Sequence, residues 1–373
     1  MYEKKILLIS PDFPPPFVGG SLVWIHNLIS NSSKHFEVLT AQNIQYDFPK
    51  NINIIHSKYI INSNNPKRTD LLKNYFFIFF WCLINFRKKK YEVIISNPGL
   101  VGNCIIFFLG KVFKKKVIGT VYAEELTTAI YGSGLKNKIK VFLIKSFYKY
   151  ADSFISVCEF SKKIIRKLKL NQEITVLPPS GYLKIQSKIF NKPNSILSVG
   201  RLIKRKGFDK LILAANEVKQ KNINIKLDIV GNGPEINLLN SLIENLGASK
   251  FIEIHDNIDN DQLAKFYLNA DLFILANRML ENGDTEGCPV VFIEAMSYML
   301  PLIGGVGGGV DTAIKDGENG FIIDTSEVNS SSDKIGLILN DLSLIQSMSS
   351  CSKKKLIKDH NNDIISSKFN NLL

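Results

Sequence analysis

The chain has 373 residues and a mass of 42.0 kDa, which at roughly 100–200 residues per domain predicts about two domains. Hydrophobic residues make up 45% and charged residues 22%, close to globular averages, so a wholly disordered chain is excluded. The five cysteines are scattered and form no CxxC pair. This pattern excludes a disulfide framework and a zinc ribbon, and it favours a reducing cytosol.

The positive charge is confined to the first half of the chain. Residues 1–180 carry 26 basic and 11 acidic residues, a net charge of +15, whereas residues 181–373 carry 21 and 23, a net charge of −2. The asymmetry predicts an anionic partner for the first half, either nucleic acid or a membrane surface. We expect an anionic membrane and no nucleic acid, because no nucleic-acid-binding motif accompanies the charge. The alternative is that the excess of positive charge reflects a Lys-rich composition of the genome and no partner, but such a composition would affect both halves of the chain equally.

No membrane-crossing or secretory segment is predicted. The N-terminus, MYEKKILLIS, lacks an apolar stretch followed by a cleavage site. The aromatic run Tyr75–Phe86 has about 12 residues, where a spanning helix needs roughly 20. Because Arg87–Lys90 follow this run and Lys114–Lys116 add a second basic cluster, we expect a helix in the membrane interface; a buried helix with a solvated basic turn is the alternative. The predicted location is cytoplasmic, peripheral on the inner face of the cytoplasmic membrane.

Short apolar runs alternate with helical patterns from residue 5 to residue 182. Strands are predicted at Lys5–Ser10, Phe36–Thr40, Ile52–His56, Val93–Ser96, Lys116–Val121, Ser153–Val157 and Ile174–Leu177. Helices are predicted at about 21–30, 70–86, 101–113, 136–150 and 160–168. Strands that alternate with helices indicate βαβ units in a doubly wound parallel sheet.

A polar connector at 183–193 precedes a second series of the same kind. Its strands are predicted at Ser195–Val199, 225–230, 251–254, 271–275, 301–303 and 320–323, and its helices at 207–220, 234–246, 261–269 and 289–299. We therefore predict an α/β protein with domains at 1–182 and 194–352, and a terminal helix at 353–373 that packs back on the first domain. Two Rossmann-like domains would face each other across a cleft, where ligands bind in such folds.

Two segments of the second domain carry candidate binding groups. In VGRLIKRKG, from Val199, a strand ends and Gly200 permits a tight turn, so Arg201 and Lys206 suit a phosphate or diphosphate. In TEGCPVVFIEAM, from Thr285, Pro289 suits a first helical turn, and the amides of Gly287, Cys288 and Val290 could hold an anion. Glu286 and Glu294 lie about two helical turns apart and could flank a ligand. The alternatives are an ordinary basic loop and an ordinary helical glutamate.

Glycine-rich loops and one acidic motif complete the candidates. Gly19 and Gly20 precede a helix of the first domain, several glycines crowd LIGGVGGG at 302–309, and VGNGPE at 230–235 is a weak signal. Asp259-Asn260-Asp261 has the form of a metal-binding Asp-x-Asp, but it immediately precedes a predicted helix, where Asp is favoured as a cap. We therefore predict a cap there and no metal.

In this order, these segments resemble the retaining family 4 glycosyltransferases of the GT-B fold, the glycosyl transferases group 1. The resemblance covers nearly the whole chain and is most specific from Val199 to Ile323. It implies that Arg201 and Lys206 bind the donor diphosphate, that Glu286 lies near the anomeric centre and that Glu294 binds the ribose hydroxyls. Gly19, Gly20 and the segment Gly287, Cys288, Pro289 and Val290 would also contact the donor.

The first domain departs from the family pattern in the segment VYAEEL. In VYAEEL, Tyr122 stands where family members commonly carry His; Tyr122, Glu124 and Glu125 are predicted contacts of the sugar or the acceptor. The resemblance implies transfer of a sugar from a UDP- or GDP-linked donor to a lipid-linked glycan or oligosaccharide in O-antigen, capsule or exopolysaccharide biosynthesis, with no metal and no cofactor beyond the donor itself. The alternatives are a catalytically silent nucleotide-sugar-binding protein and a phosphorylase or epimerase of the same fold.

Overall fold

A computed structural model describes residues 5–14, 19–41, 46–57, 68–87, 90–97 and 99–373. The chain divides into two compact units. The N-terminal unit comprises Met1–Pro178 together with Asn362–Leu373, and the C-terminal unit comprises Pro179–Asn361.

The N-terminal unit is built on a parallel sheet of seven strands in the order β3-β2-β1-β4-β5-β6-β7. The strands are β1 Ile6–Ile9, β2 Phe36–Thr40, β3 Ile52–His56, β4 Val93–Ser96, β5 Lys116–Val121, β6 Ser153–Ser156 and β7 Glu173–Val176. The helices are α1 Gly20–Ser30, α2 Arg68–Arg87, α3 Gly99–Val112, α4 Ala123–Tyr131, α5 Leu135–Phe147 and α6 Glu159–Lys167. Strands β1 and β4 are buried along their whole length, as expected for parallel strands covered on both faces.

The C-terminal unit is built on a parallel sheet of six strands in the order β10-β9-β8-β11-β12-β13. The strands are β8 Ser195–Val199, β9 Lys226–Val230, β10 Ile252–His255, β11 Leu272–Leu275, β12 Leu302–Gly305 and β13 Gly320–Ile323. The helices are α7 Phe208–Gln220, α8 Ile236–Asn245, α9 Asn260–Asn269, α10 Val290–Ser297, α11 Val328–Asn340 and α12 Leu342–Asp359; α13, Asn362–Asn370, belongs to the other unit.

The predicted fold class is confirmed, because both units are parallel sheets of Rossmann type. The details differ in two places. The contacts separate the units after Pro178, so the connector at 183–193 lies within the C-terminal unit. The predicted terminal helix at 353–373 is two helices: its first part is the end of α12 in the C-terminal unit, and only α13 packs on the N-terminal unit, where Phe369 stacks on Phe36 at 6.0 Å.

The order of strands in the C-terminal sheet indicates where a ligand would bind. Strand β8 lies between β9 and β11, and the chain leaves β8 towards one side of the sheet and returns through β11 on the other. In open parallel sheets, ligands bind beyond the carboxyl ends of the strands at this switch point. The loops that follow β8 and β11 therefore form the candidate site of this unit.

Candidate active site

The loops after β8 and β11 are packed directly on each other. After β8 the chain forms a short 3-10 turn, Lys204–Lys206, and Gly207 then starts α7 in the left-handed region at φ 71°. A Cβ atom on Gly207 would lie 1.8 Å from the carbonyl oxygen of Ala276, just beyond β11. The backbone amide of Arg278 also donates to the carbonyl of Arg205 at 2.8 Å. The close approach requires glycine at 207 and fixes the two loops relative to each other.

Two cations of the first loop converge on one carboxylate of the second. The Nε atom of Arg205 donates to Oε1 of Glu286 at 2.7 Å, and Nζ of Lys206 lies 3.1 Å from Oε2. Arg205 also donates from Nη1 to Oδ1 of Asp284 at 3.0 Å. The side chains of Arg205, Lys206 and Glu286 are only 14%, 12% and 11% exposed. Each oxygen of Glu286 thus has its own cationic partner in a largely water-excluded setting.

The charge state of Glu286 follows from these partners. Burial opposes the charged form, but Lys206 and Arg205 outweigh it and hold the pKa of the Glu286 carboxyl below its ordinary value. Glu286 is therefore a carboxylate at neutral pH. A fixed negative charge at this position can stabilise positive charge that develops on a bound substrate.

Glu294 has the opposite environment. It lies on α10, and the hydroxyl of Tyr267 donates to its Oε2 at 2.8 Å. Burial raises the pKa of the Glu294 carboxyl, and the Tyr267 hydrogen bond and the charge of Lys206 oppose the rise only in part. Tyr267 is itself buried and stacks on Tyr298, with 5.3 Å between ring centroids. Glu294 is thus held by a neutral donor and can accept hydrogen bonds from a ligand.

The glycine-rich loop after β12 packs on the backbone of Glu286 and Gly287. Gly308 adopts φ 68°, and a Cβ atom there would lie 1.8 Å from the carbonyl oxygen of Glu286. The amide of Gly309 donates to the carbonyl of Gly287 at 2.6 Å. Helix α10 begins at Val290 with Pro289 as its N-cap, so Pro289 lies one residue before the first turn in which it was predicted. Cys288 is buried.

The charged groups around Glu286 do not include every residue that the sequence predicted for the site. Lys206, Glu286 and Glu294 are brought together, whereas Arg201 is exposed and its guanidinium makes no ion pair within the described residues. Conversely, Arg205 and Asp284 belong to the network although sequence reasoning did not select them. Sequence reasoning did not select Arg278 either. Its side chain pairs with Asp209 at 3.0 Å, and its backbone amide donates to the carbonyl of Arg205.

The predicted residues of the N-terminal unit lie at the starts of two helices. Gly19, at φ 93°, is the N-cap of α1, and Gly20 is its first residue. Tyr122 is the N-cap of α4, at the carboxyl end of β5. Its ring packs edge-on against Trp24 at 5.5 Å, and among the described residues its buried hydroxyl has no hydrogen-bond partner.

The two glutamates after Tyr122 differ in exposure. Glu124 is exposed, whereas Glu125 is largely withdrawn from water. Burial, with a smaller contribution from the neighbouring charge of Glu124, raises the pKa of Glu125 to about 7. Glu125 therefore titrates near neutrality, a property that suits proton exchange with a bound hydroxyl.

The Asp-x-Asp motif is a helix cap, as predicted. Oδ1 of Asp259 accepts from the amide of Gln262 at 2.8 Å, and the Gln262 side chain accepts from the amide of Asp259 at 3.0 Å. This reciprocal pair is a capping box at the start of α9. The carboxylate of Asp259 thus caps the N-terminus of α9.

Comparison with known proteins identifies the class of the C-terminal unit. Residues 183–355 match the family Glycosyl transferases group 1. The whole chain has the fold of sucrose-phosphate synthase from Thermosynechococcus elongatus, with a TM-score of 0.83 at 18% identity over 99% of this chain and 98% of that one. It has the fold of Anabaena Alr3699/HepE, solved in complex with UDP, with a TM-score of 0.76 at 15% identity over 99% of both chains. The C-terminal unit therefore resembles the glycosyl transferases group 1 family, and the chain has the GT-B fold.

Curated relatives share part of their length with this chain. The GDP-mannose-dependent alpha-(1-6)-phosphatidylinositol monomannoside mannosyltransferase of Mycolicibacterium smegmatis is 30% identical over 147 residues, 39% of this chain and 38% of that protein. The putative colanic acid biosynthesis glycosyltransferase WcaL of Salmonella typhimurium is 25% identical over 182 residues, 48% of this chain and 45% of that protein. The matches thus span less than half of these relatives. Among the described residues, no helix combines the length and apolar character needed to cross a membrane.

Proposed function

We propose that this protein is a retaining glycosyltransferase that moves a sugar from a nucleotide diphosphate sugar, UDP- or GDP-linked, to an acceptor hydroxyl. The proposal is carried by the Arg205–Glu286–Lys206 arrangement, which lies in a glycosyl transferases group 1 domain at the switch point of its sheet. Such a reaction has two electrostatic requirements. The leaving diphosphate needs positive charge, and the oxocarbenium-like sugar needs negative charge.

The proposed roles are those that the resemblance implies, and the positions of Lys206, Glu286 and Glu294 support them. Lys206, with the exposed Arg201, takes the diphosphate, and Glu286 faces the anomeric carbon of the donor sugar. Glu294 accepts hydrogen bonds from the ribose hydroxyls. The backbone of Gly287, Cys288, Pro289 and Val290 lines the donor, and Gly19 and Gly20 are further proposed donor contacts. Because cationic side chains supply the positive charge, we propose that transfer needs no metal ion and continues in EDTA.

The acceptor is proposed from the relatives and from the charge of the chain. One relative is named for a phosphatidylinositol mannoside and another for colanic acid, so a lipid-linked glycan or oligosaccharide of a surface polysaccharide, such as O-antigen, capsule or exopolysaccharide, is a consistent acceptor. Tyr122, Glu124 and Glu125 would contact the sugar or acceptor. The excess of basic residues in 1–180 supports a cytoplasmic protein held peripherally at the inner face of the membrane.

The test is release of nucleoside diphosphate from a panel of UDP- and GDP-sugars, with and without lipid extract. Glu286→Ala and Lys206→Ala should each lower turnover by about 100- to 1,000-fold, the usual effect of removing one electrostatic group from such a site. Lys204→Ala is the matched control, because Lys204 lies in the same 3-10 turn but is exposed. Unchanged turnover in both site variants would refute the assignment. Binding without turnover would indicate a silent binding protein, and a donor isomer or a requirement for phosphate would indicate an epimerase or phosphorylase.

A further inference from the structure

Helix α2 has two apolar faces, and the residues that the structure describes cover only one of them. Ile78, Cys82 and Phe86 are buried in the core of the N-terminal unit. Leu72, Phe76, Phe80 and Ile84, also at four-residue steps, are 58%, 65%, 55% and 54% exposed. Residues at this spacing follow one side of a helix, so the second set forms a continuous apolar stripe in contact with solvent.

Two neighbouring helices extend this stripe. Helix α3 packs against both α2 and α5. It exposes Phe108 and Val112, while α5 exposes Leu135, Ile139 and Phe142, which are 73%, 50% and 66% exposed. The ring of Phe108 contacts that of Phe147 on α5 at 6.3 Å, so the apolar edges of α3 and α5 adjoin. We call the nine exposed side chains of these three helices the apolar helix surface.

The clustering distinguishes this surface from ordinary exposed residues. Within the part of the chain that the structure describes, the phenylalanines more than 40% exposed are Phe76, Phe80, Phe108 and Phe142, and all four belong to the apolar helix surface. Single exposed apolar residues are normal on any protein, whereas a contiguous set marks a surface that is covered in use.

Basic residues accompany the apolar side chains. Helix α5 carries exposed Lys136, Lys138 and Lys145, and Lys111 and Lys114 are exposed at the end of α3. The sequences of α3 and α5 contain no acidic residue, and α2 contains a single one, Asp70. An occupant that is both apolar and anionic would therefore complement this surface.

An anionic lipid bilayer has both properties, with phosphate headgroups above an acyl layer that accepts phenylalanine and leucine. A second copy of the chain fits poorly, because a symmetric pairing of this face would bring lysines against lysines. We propose that the apolar helix surface docks the protein on an anionic membrane, with its phenylalanines at the headgroup–acyl boundary and its lysines at the phosphates. This docking surface rests on the peripheral location proposed above, and it shares no residue with the proposed donor site, so experiments can test the two independently.

The experiment is co-sedimentation of the full chain with vesicles of phosphatidylcholine alone and of equimolar phosphatidylglycerol and phosphatidylcholine. We expect binding to the anionic vesicles that weakens with salt. Phe76→Ser/Phe142→Ser should weaken it by roughly tenfold per phenylalanine. Lys136→Gln/Lys138→Gln/Lys145→Gln should weaken it by about fivefold per lysine.

The control variant is Leu238→Ser/Ile357→Ser, whose side chains are 61% and 47% exposed on the C-terminal unit and whose loss should leave binding unchanged. Because every substituted side chain already faces solvent, melting temperatures should stay within about 2 °C of the parent. Nucleoside diphosphate release should persist if the proposed function is right. Unchanged vesicle binding by the phenylalanine variant, or equal binding to neutral and anionic vesicles, would overturn the proposal. The proposal would also be overturned if the phenylalanine variant kept its vesicle binding but lost, in sedimentation velocity, a dimer that the parent protein forms.

Discussion

Replacing Arg205 by Ala removes the cation that ties Glu286 to Asp284. Arg205 donates to these two carboxylates at 2.7 and 3.0 Å, and its side chain is 14% exposed. Loss of one partner from a buried ion pair costs about 3–5 kcal/mol, because the remaining charge is left buried. Lys206 still faces Glu286, so the lower figure, about 3 kcal/mol, applies. For a unit of this size it corresponds to a drop of roughly 6–12 °C in melting temperature, measurable by calorimetry.

The same substitution changes the response to acid. In the folded chain the pKa of Glu286 lies below its ordinary value because Lys206 and Arg205 outweigh burial. The stability that this shift supplies is present above the unfolded pKa and is lost as pH falls through the lower folded pKa. In Arg205→Ala, Lys206 alone opposes burial, so the pKa of Glu286 rises. The acid limb of turnover should therefore move to higher pH, and the part of the stability that is lost in acid through Glu286 should become smaller.

Two matched variants separate this effect from a general loss of charge. Arg205→Lys keeps a cation but cannot reach two carboxylates with a rigid fork, so we expect an intermediate loss. Lys204→Ala, an exposed position in the same turn, should change neither melting temperature nor acid limb. If Arg205→Ala matched Lys204→Ala in both measurements, Arg205 would have no part in holding Glu286, and the reasoning would be refuted.

Two further predictions concern the supports of the two glutamates. Gly308→Ala should destabilise the chain by about 3 kcal/mol or more in urea unfolding and reduce turnover, because its Cβ would lie 1.8 Å from the carbonyl oxygen of Glu286. Gly317→Ala is the control. Gly317 is also left-handed, at φ 76°, but has open space around it, so this substitution should cost only about 1–2 kcal/mol. Equal costs would show that the loop adapts. Tyr267→Phe removes the hydrogen bond that lowers the pKa of Glu294, so nucleotide affinity by calorimetry should fall about tenfold, and more at acidic than at basic pH. An unchanged affinity at every pH would exclude Glu294 from ribose binding.

The strands were predictable because burial on both faces of a parallel sheet leaves continuous apolar runs in the sequence. Strands β2, β4 and β8 have the predicted bounds, Phe36–Thr40, Val93–Ser96 and Ser195–Val199, and most of their residues are buried. Each is a short run of branched or aromatic residues next to a turn, and no competing local pattern obscures it.

Helices α4 and α11 were missed because tertiary contacts, not local propensity, stabilise them. Helix α4 contains Thr127 and Thr128, whose hydroxyls donate to the carbonyls of Ala123 and Glu124, and β-branched residues are weak helix formers. Helix α11 begins in a serine run and contains Gly336, where a Cβ would lie 2.8 Å from Ile223. Its buried face, which includes Ile335 and Ile338, is recognisable only once its neighbour is known.

The candidate site was predictable in its positions but not in its pairings. The spacing of basic residues after β8 did not show which of Lys204, Arg205 and Lys206 would turn inward. They form one 3-10 turn, in which successive side chains point about 120° apart, and their partners, Asp284 and Glu286, lie some 80 residues later. An observation that could have selected Arg205 is that the segment after β11 carries Asp284 and Glu286, and the basic turn follows the adjacent strand β8.

The two glutamates depend differently on Lys206, and this difference bears on the proposed reaction. Lys206 lies 3.1 Å from Glu286 and also acts on Glu294 through its charge. A donor diphosphate that takes Lys206, as proposed, removes one of the two cations from Glu286. Arg205 remains at 2.7 Å, anchored through Asp284, so Glu286 keeps a partner that opposes its protonation. Lys206 is then the exchangeable cation and Arg205 the permanent one, which allows the site to hold the leaving diphosphate and an ionised Glu286 at the same time.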